Sequence, residues 1–396
     1  MREIKKIALM AVGGTGWQGG TQYTLNILNA INSVAGDKAI EVNLFKGSTQ
    51  QFFDLEKFTS IKLTVAILSD VLPPLTFVNR VRWFIQRKFL GAVNPRIESY
   101  LIANRFDYVF PAVLSSHGGK LNVGSWIADF QYHHFPNGAS KEVSFQAFKT
   151  ISFIAKQAEK VILSSAYCEK DCLHLFPVSK GRTWVMPFAV SLDHRTISES
   201  SSSQKMLTKY EIPDRFLMVA NLFAPTKNHG TLFSALGILK KKGLVVCLIC
   251  TGDIVDYRNL SFANDILQML TENQIRNQVY LLGLIPREDQ LALYRMAIAL
   301  LQPSVNEGWS TSVEEAKALG KNLLMSDIPV HLEQHPNNPY VFESMNADGL
   351  AKTVEFLWNQ TSDQVFPNEE VEREAIETYQ DNVRRFGNRF LEIASQ

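Results

Sequence analysis

Short apolar runs alternate with longer segments in which apolar residues recur at three- and four-residue spacing, and this alternation occupies nearly the whole chain. In the first half the runs Lys6–Val12, Glu41–Phe45, Ile61–Leu68, Tyr108–Val113, Ser125–Ala128, Val161–Ser164 and Thr183–Met186 predict strands. Helical periodicity between them covers Gly20–Ser33, Ile97–Asn104, Lys141–Lys160 and Ala166–Phe176. The polar stretch "SLDHRTISESSSSQKMLTKYEIP" then interrupts the order. Its composition cannot bury a core, so it predicts a linker.

Beyond it the series restarts. Strands are predicted at Phe216–Ala220, Leu244–Cys250, Val279–Leu282, Ile298–Gln302 and Asn322–Met325, with helices at Gly230–Lys241, Asn264–Asn273, Arg287–Met296 and Ser312–Leu319. Asn368–Ala394 reads as one long charged helix. Alternating strands and helices imply parallel sheets covered on both faces. The expected fold is therefore α/β, with two Rossmann-like doubly wound domains at 1–190 and 214–375, a linker at 191–213, and a terminal helix from about 376 to 396 packing back on the first domain. Ligands of such sheets bind beyond the carboxyl ends of the strands, and a cleft between facing domains is the expected pocket.

Composition narrows the function. The 396 residues carry a net charge of only +1, which lacks the basic footprint of a nucleic-acid binder. No apolar run approaches the ~20 residues of a membrane span. The start "MREIKKIALMAVGG" reads as a first strand and not as a signal peptide, so the expected location is the cytoplasm. Four cysteines lack convergent zinc spacing and are expected as reduced thiols. No D-x-D pair follows a strand, so neither a metal ion nor another cofactor is expected.

The chemistry concentrates in loops after strands. In "PSVNEGWSTSVEEAKALGK", Glu307 follows an apolar strand, Gly308, Trp309, Ser310 and Thr311 lead into a helix, and Glu315 lies eight positions after Glu307. Unpaired amides and partial positive charge at a helix start suit a diphosphate, and a carboxylate one turn in can accept the hydroxyls of a ribose-like diol. The alternative is a helix capped at Ser310 or Ser312 with Glu315 as its capping-box acid. "GGTGWQGGTQY" after the first strand is a turn whose amides can approach a phosphate, but its spacing is not the dinucleotide fingerprint. In "SWIADFQYHHFP" either His133 or His134 can exchange a proton near neutrality, or both are surface loop residues. "LTFVNRVRWFIQRKFL" is a basic amphipathic segment that fits either a core helix or an anionic membrane surface.

These motifs resemble those of the retaining GT-B glycosyltransferases of family 4. "NEGWSTSVEEAKALGK" looks like their acid, seven residues, acid motif, and "SDIPVHLEQHP" looks like the segment after it. The resemblance implies that Glu307 holds donor-sugar hydroxyls and supports charge at the anomeric carbon, that Glu315 holds the ribose, and that the loop amides meet the diphosphate. "VANLFAPTKNHGTLFSAL" is similar to the loop that carries a basic pair against the diphosphate. Lys227 matches one member, while the other position falls at Leu222 or Phe223, leaving Lys227, His229 or helix amides to supply the missing charge. Gly19 and Gly20 match the family's paired glycines, and Asp129, Gln131 and His134 match residues on the acceptor side.

The resemblance implies transfer of a hexose from a nucleoside-diphosphate sugar to a saccharide or lipid-linked acceptor, in polysaccharide or glycan synthesis, with peripheral membrane contact allowed and oligomeric state open. An epimerase or hydrolase on the same scaffold, and a nucleotide-binding assembly module without catalysis, are the alternatives. Leu222 at a basic position is the feature that favours the last.

Overall fold

The computed structural model describes residues 4–14, 18–36, 38–53, 55–90, 93–115, 120–136, 138, 140–192, 203–254, 262–361 and 367–396, with backbone only at Arg87, Phe89 and Leu90. The Trp17 region of the glycine turn and most of the serine-rich stretch lie outside the described residues. The chain divides into two compact units, one made of residues 1–130, 149–191 and 381–396, the other of 131–148 and 192–380.

In the first unit, β1 (Lys6–Met10), β2 (Glu41–Lys46), β3 (Lys62–Ile67) and β4 (Tyr108–Phe110) form a sheet in the order β3-β2-β1-β4. β5 (Gly124–Ile127), β6 (Lys160–Leu163) and β7 (Thr183–Val185) form a second ribbon, and a parallel bridge from Val109 to Val123 joins it to β4. All pairings are parallel, and Ile7, Ala8 and Leu9 at the centre are fully buried, as a strand covered on both faces requires. The order reverses between β1 and β4. The chain leaves β1 through Gly13, whose φ of +92° and 2.0 Å clearance from the Thr21 amide exclude any side chain.

The last helix, Glu369–Ser395, closes this unit with its final turns. Phe390 meets Tyr108 and Phe110 edge-on at 5.6 and 5.5 Å. Each such buried aromatic contributes about 2–3 kcal/mol. Gly387 lets the helix approach helix Gln18–Ala35 closely, since a Cβ there would lie 2.2 Å from the Ala30 carbonyl oxygen. Its otherwise unpaired terminal carbonyls accept from Asn122 Nδ2 at 2.7 Å and from the Lys160 ammonium at 3.0 Å.

The second unit holds one parallel sheet of β8 (Leu217–Ala220), β9 (Leu248–Thr251), β10 (Val279–Gly283), β11 (Ala299–Gln302), β12 (Asn322–Ser326) and β13 (Val341–Phe342), ordered β10-β9-β8-β11-β12-β13. Counted from β8 this is the 3-2-1-4-5-6 order of dinucleotide-binding sheets, with the reversal between β8 and β11. The loops after those two strands carry Lys227 and Glu307.

Several expectations change. Helix Ser203–Tyr210 occupies the second part of the predicted linker, with Met206 buried and Lys209 and Tyr210 donating to Asp289 at 2.5 Å each. Helix Ala347–Gln360 and the two-residue β13 extend the fold beyond the predicted elements. The core reading of Leu75–Leu90 is overturned: helix Phe77–Leu90 forms, yet Phe77 is 81% exposed. Among the described residues no helix is long and apolar enough to cross a membrane, and no three metal-ligating side chains converge.

Candidate functional site

The site grows from the end of β11. Gln302 closes an otherwise apolar strand and is fully buried, so its amide needs partners. Its Oε1 accepts from Asn221 Nδ2 at 3.1 Å, and its Nε2 donates to Ser304 Oγ at 3.2 Å and to Glu307 Oε1 at 2.8 Å. The loop from Pro303 to Ser310 is then pinned along its length. Asn228 Nδ2 donates to the Pro303 carbonyl at 3.0 Å, the Val305 amide donates to the Thr226 carbonyl at 2.9 Å, and Ser326 Oγ donates to the Ser304 carbonyl at 2.5 Å. At its far end the Gln334 side chain accepts from the Ser310 amide at 3.1 Å and donates to its carbonyl at 2.7 Å.

This frame holds the Glu307 side chain at 9% exposure. Its Oε1 receives the Lys227 ammonium at 2.5 Å together with Ser304 Oγ and Gln302 Nε2, both at 2.8 Å. Burial raises the carboxyl's pKa, but the Lys227 charge and the donated hydrogen bonds outweigh it, and the net position is below the ordinary carboxylate value. Glu307 is thus a fixed anion. Oε2 takes no donor among the described residues, which leaves it available to hydroxyl groups.

Glu315 sits in the first turns of helix Thr311–Ala318, 2% exposed, and accepts from the Arg287 guanidinium. Ser310 is the helix cap by position but makes no capping bond, and Val313 occupies the third helical position, so the capping-box alternative does not form. Ser312 Oγ ties the helix to the end of β8 by donating to the Ala220 carbonyl at 3.1 Å. Each buried acid of the motif therefore has its own cation. Gly308 is buried between them, while Trp309 and Thr311 are half-buried.

His229 does not supply the missing positive charge. It is fully buried, stacks on Phe223 at 4.2 Å, and neither ring nitrogen has a partner among the described residues; burial and then Lys227 push its pKa down to about 3. His331, also buried, is lowered to about 4 by burial. Its Nδ1 lies 3.0 Å from Ser326 Oγ and 3.1 Å from the Ser326 carbonyl. Because Ser326 Oγ donates to Ser304, the ring hydrogen belongs on Nδ1.

Both histidines titrate near 6.5 once unfolded. As pH falls from about 6.5 toward 4 the unfolded chain takes up protons that the native one refuses, so stability falls by about 1.4 kcal/mol per pH unit for each ring. His229→Phe loses no hydrogen bond and removes one of these protons. Urea unfolding at pH 6.5 and 5 is expected to show an acid loss about 1–2 kcal/mol smaller in the variant than in the parent. Equal losses would exclude the buried neutral ring.

In the first unit, Gly19 and Gly20 form the first turn of helix Gln18–Ala35, Gly19 exposed and Gly20 buried. The sharp turn itself is made by Gly13 and Gly14, whose amide donates to Thr21 Oγ1 at 3.0 Å. Asp129 is half-buried just past β5, where Trp126 stacks on Tyr23 at 4.3 Å. In the second unit, His134 ends the turn Gln131–His134, half-buried, with the exposed His133 ring at 5.2 Å. Gln131, Tyr132, Phe135 and Gly138 line a small hollow with Ala224, Pro225 and Thr226 of the Lys227 loop.

Sequence reasoning missed Gln302, Ser304, Asn221, Arg287 and His331. Only Gln302 left a signal, as a polar residue terminating an apolar strand.

Residues 201–373 match the family described as glycosyl transferases group 1. No curated protein matches the sequence. Among solved structures the chain is similar to Anabaena HepE in complex with UDP and glucose, at 14% identity and a TM-score of 0.65 over 99% of this chain and 100% of that one. It is similar to a glycosyltransferase from Rickettsia africae ESF-5 at 16% identity and a TM-score of 0.65, covering 98% of both chains. A third likeness is to sucrose-phosphate synthase from Thermosynechococcus elongatus, at 16% identity and a TM-score of 0.62, over 98% of this chain and 96% of that one. The fold is GT-B. The second unit contains a group 1 glycosyltransferase domain, and the protein is a glycosyltransferase.

Proposed function

We propose that the protein transfers a hexose from a nucleoside-diphosphate sugar, with retention of configuration, to a saccharide or lipid-linked acceptor in the cytoplasm. The observation that carries this reading is the Lys227–Glu307 pair at 2.5 Å, set at the reversal point of the second sheet beside the start of helix Thr311–Ala318. On binding, the diphosphate draws the Lys227 ammonium and meets the amides of Gly308, Trp309 and Thr311, the Ser310 amide being held by Gln334. Glu307 Oε2 accepts donor-sugar hydroxyls and supports positive charge at the anomeric carbon as the sugar–phosphate bond breaks. Glu315 accepts the ribose hydroxyls, and Arg287 holds that carboxylate in place. Trp309 contributes to donor binding from the same loop. His134 and Asp129 serve the acceptor. No acid nucleophile is assigned, so the acceptor hydroxyl attacks on the face the diphosphate leaves, which takes the proton. No metal ion takes part. HepE in complex with UDP and glucose supports this donor class by likeness of fold.

The test is thermal unfolding with UDP, GDP, ADP, CDP or TDP, followed by incubation of the matching labelled sugar nucleotides with and without acceptor oligosaccharides. One nucleoside diphosphate at 100 times its Kd is expected to stabilise the protein by about 2.7 kcal/mol, and its sugar to pass to an acceptor. Binding without turnover across the sugar panel would leave a nucleotide-binding module. Failure of every nucleotide to bind would remove the donor site.

A further inference from the structure

We propose that helix Phe77–Leu90 docks the protein onto an anionic lipid surface. The inference does not rest on the sugar-transfer reading. The helix packs beside helix Pro95–Ala103 through Asn79, Trp83 and Gln86, which are half-buried, and Gln86 Oε1 has no donor among the described residues. The outward face carries Phe77, Val78, Val81, Phe84 and Ile85, with Phe84 62% exposed. Leu75, just before the helix, is 56% exposed. An amphipathic helix of a globular protein turns its apolar stripe to the core, whereas this one leaves that stripe in solvent. Contiguous exposed apolar surface of this kind marks an interaction site.

Charge selects the occupant. The helix contains Arg80, Arg82, Arg87 and Lys88 and no acid, on a chain whose net charge is only +1. Arg80, Arg82 and Lys88 are exposed, and the Lys88 ammonium lies 5.8 Å from the centre of the Phe84 ring. A second copy docked face to face would bring two acid-free cationic helices together. An anionic bilayer takes the apolar side chains into the boundary between headgroups and acyl chains while lipid phosphates receive the cations, whose stems lie along the apolar surface.

The experiment is co-sedimentation of the full chain with vesicles of two parts phosphatidylcholine to one part phosphatidylglycerol, and with vesicles of phosphatidylcholine alone. Binding to the anionic vesicles is expected to be about tenfold tighter or more, and to weaken with salt. Phe77→Ser/Phe84→Ser is expected to weaken it by about tenfold or more without changing circular dichroism or melting temperature, since both rings are already solvated. Arg80→Ala/Arg82→Ala is expected to remove most of the preference for anionic lipid. Absence of vesicle binding, equal binding to both compositions, or parental binding by the phenylalanine variant overturns the proposal. So does a dimer that the phenylalanine variant dissociates while no vesicle binding is seen, an outcome that would make a second copy the occupant.

Discussion

Glu307→Gln is expected to lower the transfer rate by about 10³-fold while leaving nucleoside-diphosphate binding within a few-fold of the parent. The amide is the same size as the carboxylate and its oxygen can still accept from Ser304 and Gln302, which donate to Oε1 at 2.8 Å in the parent. What it lacks is the charge that faces the anomeric carbon in the proposed reaction. An interaction made mainly in the transition state should reduce kcat and kcat/KM together, whereas a group that only holds ground-state donor would raise KM alone. Steady-state kinetics with the donor identified by the nucleotide screen separates the two. Undiminished kcat in a folded Glu307→Gln protein would remove the assignment.

The frame around this carboxylate shows which kinds of structure a sequence can carry. The strand, loop and helix around Glu307 were legible because an apolar run, a glycine-containing polar loop and a helical spacing follow one another locally. The pairing of Lys227 with Glu307 was not legible, because it depends on the reversal of strand order that brings the loops after β8 and β11 together, and the sequence marked the two residues separately, through the family resemblance. Arg287 on Glu315 had no such pointer, because the pair forms across two helices whose facing sides are decided by tertiary packing. His229 misled for a related reason: next to Lys227 in the chain it looked like a second cation, while burial against Phe223 makes it neutral. Helix Ser203–Tyr210 was hidden by its polar composition and is held by Asp289, a partner 80 positions from Lys209. For helix Phe77–Leu90 the periodicity announced an amphipathic helix but not the direction of its apolar face, which only its packing reveals.

Lys227→Met is expected to act on both stability and donor affinity, and the two effects separate in a double variant. Removing the ammonium leaves the Glu307 carboxylate, 9% exposed, with hydrogen bonds but no cation. Breaking a buried pair from one side costs about 3–5 kcal/mol, and Lys227's own 22% exposure brings the expected loss below that range, to about 2–3 kcal/mol at pH 7. The sign of the pH dependence should also reverse. In the parent the Glu307 pKa lies below its unfolded value, so its contribution is present at neutral pH and is lost as pH falls through the folded pKa. Without Lys227, burial prevails, the folded pKa rises above the unfolded one, and acidification from pH 7 toward 5 should recover stability relative to the parent. Lys227→Met/Glu307→Gln has no buried charge left at this point and should regain most of the lost stability. Affinity behaves differently, because the diphosphate loses its charged partner in both variants and binding should weaken by about 10–100-fold in each. Unfolding curves and nucleotide titrations on the four proteins give the full cycle. Parental nucleotide affinity in Lys227→Met would show that the ammonium serves Glu307 alone and never meets the donor.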